Sequence, residues 1–471
     1  MLMFVAGEWR GAASEEEVRN PFDGEVVGVV PVATAADAEL ALAAAQDGAR
    51  AMRALPAFER TEILRRAADA AEASLDELAR TIALEVGKPL LEATNEAKRI
   101  PGLMRVSASE GGRMHGETVP VDAAPGGAGK VAFTLRQPCG IVVAITPFNY
   151  PALLVMHKVG PALAAGNAVI LKPARQTPLT ALLLTRVLLE AGLPPNALQC
   201  LTGPGSELGN TLCADGRVRK ISFTGSTSVG ESITRVAGVK RLSLELGSNC
   251  PLIVLPDADL EQVAAATVTG GYVNAGQVCI SVQRVLVARE IYADFVDVLT
   301  PLVNGLRTGH PLAEGTALGP VISEVEAERV ERTIRDAVDG GATLLAGGGR
   351  DRAVIEPTVV GDVDPRMDLS RNELFGPAVA LTPVSGIDEA IAYANDSEYG
   401  LGAGLFTSSI DSALRFAQEV DSGSIQINSS PLWRADLMPY GGLKGSGIGK
   451  EGPRYAVEEM TELKTVVFHG R

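Results

Sequence analysis

Apolar residues in the first part of the chain recur at helical spacing. From Thr34 to about Leu55 the sequence is rich in alanine with helical periodicity. From about Glu59 to Val86 the same pattern returns, and Gly87 is placed to cap the helix end. The stretch APGGAG at Ala124–Gly129 breaks this regularity. Beyond it, short continuous apolar runs at Ile141–Ile145, Ala168–Leu171, Leu198–Leu201 and Lys220–Phe223 alternate with helical stretches such as Pro178–Glu190 and Val229–Val236. That alternation predicts a parallel sheet with helices on its faces. A second set of strand candidates, Leu252–Leu255, Val282–Val287 and Val379–Pro383, predicts a second α/β unit. The last residues, Glu462–Phe468, read as a β-branched strand that needs a partner, another subunit being one source. No internal repeat or low-complexity segment is present.

The length, 471 residues, predicts two or three domains. Aromatic residues make up only 4%, so the core must be built from Ala, Val, Leu and Ile. A formal net charge of −15 argues against nucleic acid or an anionic membrane surface as a partner. It leaves room for an anionic cofactor, because backbone N–H groups act locally. Five cysteines in so long a chain are no disulfide framework, and none show C-x-x-C spacing. Only four histidines occur, none at metal-ligand spacing, so no protein-built metal site is expected. The start of the chain lacks the basic and apolar regions of a signal peptide, and no run of about 18 apolar residues predicts a membrane span. A reducing cytoplasm is the simplest home.

The segment NAGQVCI, Asn274–Ile280, places Cys279 after a predicted helix. A free aldehyde is a poor hydride donor, whereas the tetrahedral hemithioacetal formed by a thiolate is a good one. Most cysteines are small buried hydrophobes, so the surrounding motifs decide. Six segments stand in order along the chain: TPFNYP (Thr146–Pro151), NAVILKPA (Asn167–Ala174), FTGSTSVG (Phe223–Gly230), LELGSN (Leu244–Asn249), NAGQVC (Asn274–Cys279) and ELFGP (Glu373–Pro377). In these, over nearly its full length, the chain resembles the aldehyde dehydrogenase superfamily.

The resemblance implies that Cys279 is the nucleophile and that Asn149, with the Cys279 N–H, forms the oxyanion site. Glu245 is implied as the base that activates water against the thioester. Lys158 and Glu451 match positions linked to proton relay. Ser248 stands where relatives usually carry glycine, which leaves the carboxylate intact. FTGSTSVG is a strand–helix turn in which Gly225, Ser226 and Gly230 would let phosphate approach a helix N-terminus. Thr146, Pro147, Lys172, Pro173, Ala174, Leu246, Glu373 and Phe375 complete the implied cofactor site, with Lys172 and Glu373 on the two riboses. Arg175 stands where NAD-preferring relatives often carry Glu. Its guanidinium suits a 2′-phosphate, which favours NADP over NAD.

Tyr150, Met156, His157, Val278, Ile280, Trp433 and Arg434 are candidates for the substrate tunnel by position. Arg434 is a partner for an anionic group or simply a surface arginine. GQVCISVQR and MPYGGLKGSGIGKEG resemble the branch that includes lactaldehyde, phosphonoacetaldehyde and non-phosphorylating glyceraldehyde-3-phosphate dehydrogenases, which implies small polar or anionic aldehydes. The implied architecture is α/β: a Rossmann-type cofactor domain (1–118 and 139–247), an α/β catalytic domain (248–447), and a small β oligomerisation element (119–138 and 448–471) giving a homodimer or homotetramer. Three rivals remain: a CoA-acylating enzyme, which gains nothing from Glu245; a catalytically silent relative, which would have lost part of the chemical set; and a metal-dependent alcohol dehydrogenase, which the few histidines disfavour.

Overall fold

A computed structural model describes residues 1–470. Two sheets organise the chain. The first has eight strands in the spatial order Glu8–Arg10, Met3–Val5, Leu198–Cys200, Ala168–Lys172, Ile141–Ile145, Val218–Thr224, Arg241–Glu245, Gly447–Ile448. Its five central strands are parallel and its outer strands antiparallel. Numbered by sequence, the parallel strands run 3-2-1-4-5. The order therefore reverses between Ile141–Ile145 and Val218–Thr224, and ligands of doubly wound sheets bind outside the carboxyl ends at such a point. Both faces are covered, by large aliphatic clusters.

The second sheet has seven strands in the order Thr343–Ala346, Thr358–Gly361, Ala378–Val384, Arg284–Ala288, Pro251–Val254, Gly402–Phe406, Ser424–Ile427. All neighbours are parallel except Thr343–Ala346. A separate three-stranded sheet joins Thr118–Val119 and Lys130–Pro138 to the terminal strand Thr461–His469, which pairs along Lys130–Pro138 through nine residues. The terminal strand thus finds its partner within its own chain.

Every strand predicted from the sequence is present, displaced by at most two residues at an end. Helix Ala35–Ala54 starts at Thr34 through a reciprocal capping box with Asp37. Helix Pro178–Glu190 has the expected bounds. The single helix expected over Glu59–Val86 is two, Ala57–Ala73 and Leu75–Val86, which meet at Ser74. The Ser74 hydroxyl donates to the Ala70 carbonyl at 3.0 Å, an alternative bond that competes with the helix ladder. Gly87 caps the second helix in the left-handed region, φ +85°. Among the helices that escaped the periodic reading are Leu90–Gly112 and Leu153–Ala164. Each carries an internal proline, and the second is buried on all sides, so neither presents a clean amphipathic period.

Candidate active site

The chain passes from the first sheet to the second over Leu246–Cys250, and the candidate site forms where it crosses. Register brings its parts to one level: Ile145 lies opposite Lys172 and Phe223, and Thr224 lies opposite Glu245. Thr146, Gly225 and Leu246 are therefore the first residues past the carboxyl ends of adjacent strands. The loop that delivers Cys279 enters from the other side, just ahead of strand Arg284–Ala288.

That loop is held in an unusual shape. Asn274, Ala275 and Gly276 all have positive φ (+51°, +54° and +70°). A Cβ at Gly276 would lie 2.1 Å from the Gly376 carbonyl oxygen, so only glycine fits. Polar side chains hold the turn: Gln277 Nε2 donates to the Asn274 carbonyl at 3.0 Å, and Gln277 Oε1 accepts from the Ile322 N–H at 2.8 Å. Asn149 sits opposite. Its amide donates to the Gln277 carbonyl at 2.8 Å, and its own carbonyl accepts from Lys88 Nζ at 2.7 Å and from the Asn274 amide at 3.1 Å. Lys88 is buried and neutralised by Glu96 at 2.7 Å, while Glu96 also accepts from the N–H groups of Ala152 and Leu153. The Asn149 loop thus hangs on a buried ion pair. Sequence reasoning missed both partners. The available signal was Glu96 itself, a carboxylate on the same helical stripe as the buried Ala93, Ala97 and Ile100.

Cys279 Sγ lies 2.9 Å from the hydroxyl of Tyr440, a third residue the sequence reading passed over. Burial pushes the Cys279 thiol up to about 12, a rise that the Tyr440 contact opposes and that Glu373, Cys250 and Glu245 reinforce. Glu245 is 2% exposed, and neither carboxylate oxygen has a hydrogen-bond partner among the described residues. Burial first, and then the charge of Glu451, hold its pKa well above the usual carboxylate range; Lys158, Arg434 and Lys450 pull the other way. Glu451 behaves oppositely. Burial would raise it, but Lys158 at 2.7 Å, His157 and Arg434 overcome that and keep it ionised. Lys158 and Glu451, far apart in sequence, therefore meet directly beside Glu245.

The residues expected at the cofactor site gather on the first sheet's carboxyl edge. Lys172 is buried, with Nζ donating to the Pro173 carbonyl at 2.6 Å, and desolvation lowers it to about 8. Thr146 Oγ1 is buried without a partner. Helix Thr227–Ala237 begins at Ser226, whose side chain makes no capping bond, which leaves the N-terminal amides facing the crevice. Gly230 also packs closely on the strand-end loop, where a Cβ would lie 2.4 Å from Leu246 Cδ2. Across the crevice, Glu373 accepts from the Ser248 N–H at 3.0 Å, and burial raises it to about 7. Phe375, at φ +52°, packs edge-on to Phe148. An orphaned hydroxyl, a buried ammonium, an uncapped helix start and a poised carboxylate are a donor and acceptor set that fits a dinucleotide. Arg175 is exposed but not free, since its guanidinium pairs with Glu16 from strand Glu15–Arg19.

The substrate candidates separate. A cavity of about 530 Å³ is lined by Arg99, Tyr150, Trp433 and Arg434 among others. Arg434 is no surface arginine. Its side chain is 10% exposed, its guanidinium lies 3.8 Å from the Tyr440 ring centroid and 3.5 Å from Glu451, and its Nε and Nη2 make no hydrogen bond among the described residues. Val278 and Ile280 are buried and pack with Cys250, Leu401 and Tyr440. His157 is buried behind the site at 3.3 Å from Asp436, and Met156 is in the core. Among the described residues no cluster of His, Cys, Asp or Glu could hold a metal, and no helix is long and apolar enough to cross a membrane.

A crevice built for a dinucleotide that opens onto a thiol and a buried carboxylate sets the class: an NAD(P)-dependent dehydrogenase. The model of the aldehyde dehydrogenase family matches residues 9–466, and the chain belongs to that family. It is 46% identical over 467 residues to a 3-sulfolactaldehyde dehydrogenase of Priestia megaterium, covering 99% of this chain and 98% of that one. It is 38% identical to a lactaldehyde dehydrogenase of Methanococcus aeolicus, covering 99% and 100%. Its fold superposes with a TM-score of 0.93 on glyceraldehyde-3-phosphate dehydrogenase from Methanocaldococcus jannaschii complexed with NADP, at 38% identity over 97% of this chain and 100% of that one.

The charge set beside Glu245 makes a pH prediction. A base with a raised pKa works above that pKa, and the rate falls as pH drops through it. Lys158→Met removes a cation that lowers Glu245. The acid limb of the kcat–pH profile will then move to higher pH, by about one unit. An unmoved limb would separate Lys158 from the Glu245 titration.

Proposed function

We propose that this aldehyde dehydrogenase oxidises a small polar or anionic aldehyde to its carboxylic acid through a covalent Cys279 intermediate that Glu245 hydrolyses. Cys279 Sγ adds to the aldehyde carbon, and the carbonyl oxygen becomes an oxyanion. The Asn149 amide, released from the Gln277 carbonyl, and the Cys279 N–H are its donors, an arrangement worth several kcal/mol in the transition state. When bound, the oxidised nicotinamide dinucleotide supplies the hydride acceptor. Lys172, Thr146 and Glu373 would hold its riboses, and Ser226 with the start of helix Thr227–Ala237 its pyrophosphate. Glu245 then takes a proton from water, whose oxygen attacks the thioester carbon, and Cys279 leaves as thiolate.

One observation carries the hydrolytic outcome: Glu245 is buried at the seam with both oxygens unpartnered among the described residues. A carboxylate kept in that state at a cost of several kcal/mol is useful to an enzyme that must activate water and useless to one that passes its acyl group to CoA. Glu245→Gln is expected to release about one equivalent of reduced cofactor per active site in a burst. Steady turnover should then be slowed by about 10²–10⁴-fold, the span of general-base catalysis. Cys279→Ala should show neither burst nor turnover. A burst without Cys279, or CoA-dependent product, would overturn the reading.

Arg434 supports an acidic group on the substrate, because it lines the cavity and its Nε and Nη2 make no hydrogen bond among the described residues, with Nη2 resting 3.5 Å from Glu451. Relatives with charged substrates, a sulfonate and a phosphate by their names, agree with this. Arg175 supports NADP, tempered by its pairing with Glu16, which leaves NAD usable. An aldehyde panel run with both cofactors tests the two together. Arg434→Leu should raise KM for anionic aldehydes by about 10- to 100-fold, the worth of a charge-assisted bond, beyond any change that neutral aldehydes share through Tyr440. Arg175→Glu should shift kcat/KM from NADP towards NAD. Equal losses for neutral and anionic aldehydes, or an unchanged cofactor ratio, would refute the respective assignment.

We further assign residues 1–118 with 139–247 to the cofactor domain, 248–447 to the catalytic domain, and 119–138 with 448–471 to an oligomerisation element. In support, Val131, Leu135, Leu463, Val467 and Phe468 are exposed on the three-stranded sheet, whose terminal strand has an open edge. Light scattering should give a dimer or tetramer mass, and a monomer at micromolar concentration would exclude it. All five cysteines are unpaired, which suits a reducing cytoplasm.

A further inference from the structure

We propose that the Tyr440 hydroxyl is a catalytic donor to Cys279: it directs its proton at Sγ, stabilises the attacking thiolate and aims it. This rests on the reading of Cys279 as nucleophile. Among the described residues the hydroxyl bonds only to Sγ, at 2.9 Å. Its ring is fixed on two sides. The Arg434 guanidinium covers one face, 3.8 Å from the ring centroid. The backbone is clamped by the Tyr440–Glu451 bridge, with N···O distances of 3.1 and 2.6 Å, which closes the loop between them. The hydroxyl therefore has nowhere else to turn.

The direction of the bond follows from the surroundings. Burial, with Cys279 and Glu245 nearby, holds Tyr440 protonated, so it donates and does not serve as the base. Arg434 over the ring draws electron density from it and strengthens the O–H as a donor. The charged and titratable groups facing Sγ are otherwise Glu245, Glu373, Cys250 and Tyr150, none of which is a cation. With no cation beside it, the sulfur depends on a neutral donor for its negative charge. In the step, the thiol proton passes through water to ionised Glu245, which releases it to solvent before it deprotonates the hydrolytic water, and Tyr440 keeps its own. The Sγ–C bond forms as the carbonyl π pair moves onto oxygen. The sulfur loses its charge, its bond to the hydroxyl weakens, and Tyr440 is ready to receive the thiolate again when the thioester is cleaved.

Alkylation of Cys279 by iodoacetamide, followed on its own peptide by mass spectrometry across pH, reads this without aldehyde turnover. Iodoacetamide is uncharged, so any role of Arg434 in substrate binding does not enter. In Tyr440→Phe the midpoint should rise by about one pH unit. Below it, thiolate falls about tenfold while intrinsic reactivity rises about threefold, a net loss of about threefold; above it, the rate exceeds wild type. That crossing is not produced by a packing change. Arg434→Met should shift the midpoint in the same direction by less, and it serves as the test should Tyr440→Phe fail to fold. Superimposable profiles would overturn the proposal while leaving Cys279 as nucleophile; turnover surviving in Cys279→Ala would instead remove the reading beneath it.

Discussion

A carboxylate taken out of water with neither oxygen bonded is the constraint on which this structure turns. Glu245 ends a parallel strand at the crossing between two sheets, where side chains from both close over it. The protein tolerates the desolvation because it keeps the group near neutrality: Glu451 holds the adjacent negative charge, secured by Lys158 and Arg434, and so discourages a second one. Two carboxylates a few residues from one another in space are thereby driven to opposite states.

Ion pairs elsewhere at the seam serve position more than stability. Buried pairs contribute little net stability, because desolvation offsets their attraction. Lys88 and Glu96 nonetheless fix three backbone groups at the turn that carries Asn149. Across from it, three consecutive positive-φ residues set the Cys279 loop, a strained geometry held by Gln277 and by close contact with Gly376. Strain on one side and buried charge on the other leave the sulfur little freedom, which suits a covalent reaction that needs its partners prealigned.

The cavity and the Cys279 sulfur share one neighbour set, since Arg434 lines the cavity and covers the Tyr440 ring whose hydroxyl bonds to Sγ. Arg434 belongs to both the cavity wall and the Tyr440 stack, so the group that would meet a substrate anion also bears on the residue that touches Cys279. Under the proposed reading, substrate recognition and thiol chemistry are coupled through a single aromatic ring.

Much of the fold was legible in the sequence. Parallel strands buried on both faces read as unbroken apolar runs, and helices packed on one side keep their 3.6-residue period, so the two α/β units emerged from pattern alone. Helix Leu153–Ala164 did not, because a helix buried all round loses its period, and the break at Ser74 did not, because one side-chain bond decided it. The motif residues Cys279, Glu245, Asn149, Lys172 and Glu373 were named through the chain's resemblance to the aldehyde dehydrogenase family. The sequence alone determined which reactive groups exist and on which kinds of element they sit. Tertiary structure decided who faces whom: Tyr440 on Cys279, Lys158 on Glu451, Glu16 on Arg175, Lys88 on Glu96. Such pairs join residues up to 293 positions apart. Local pattern carries no record of contacts that only the packing of two sheets creates.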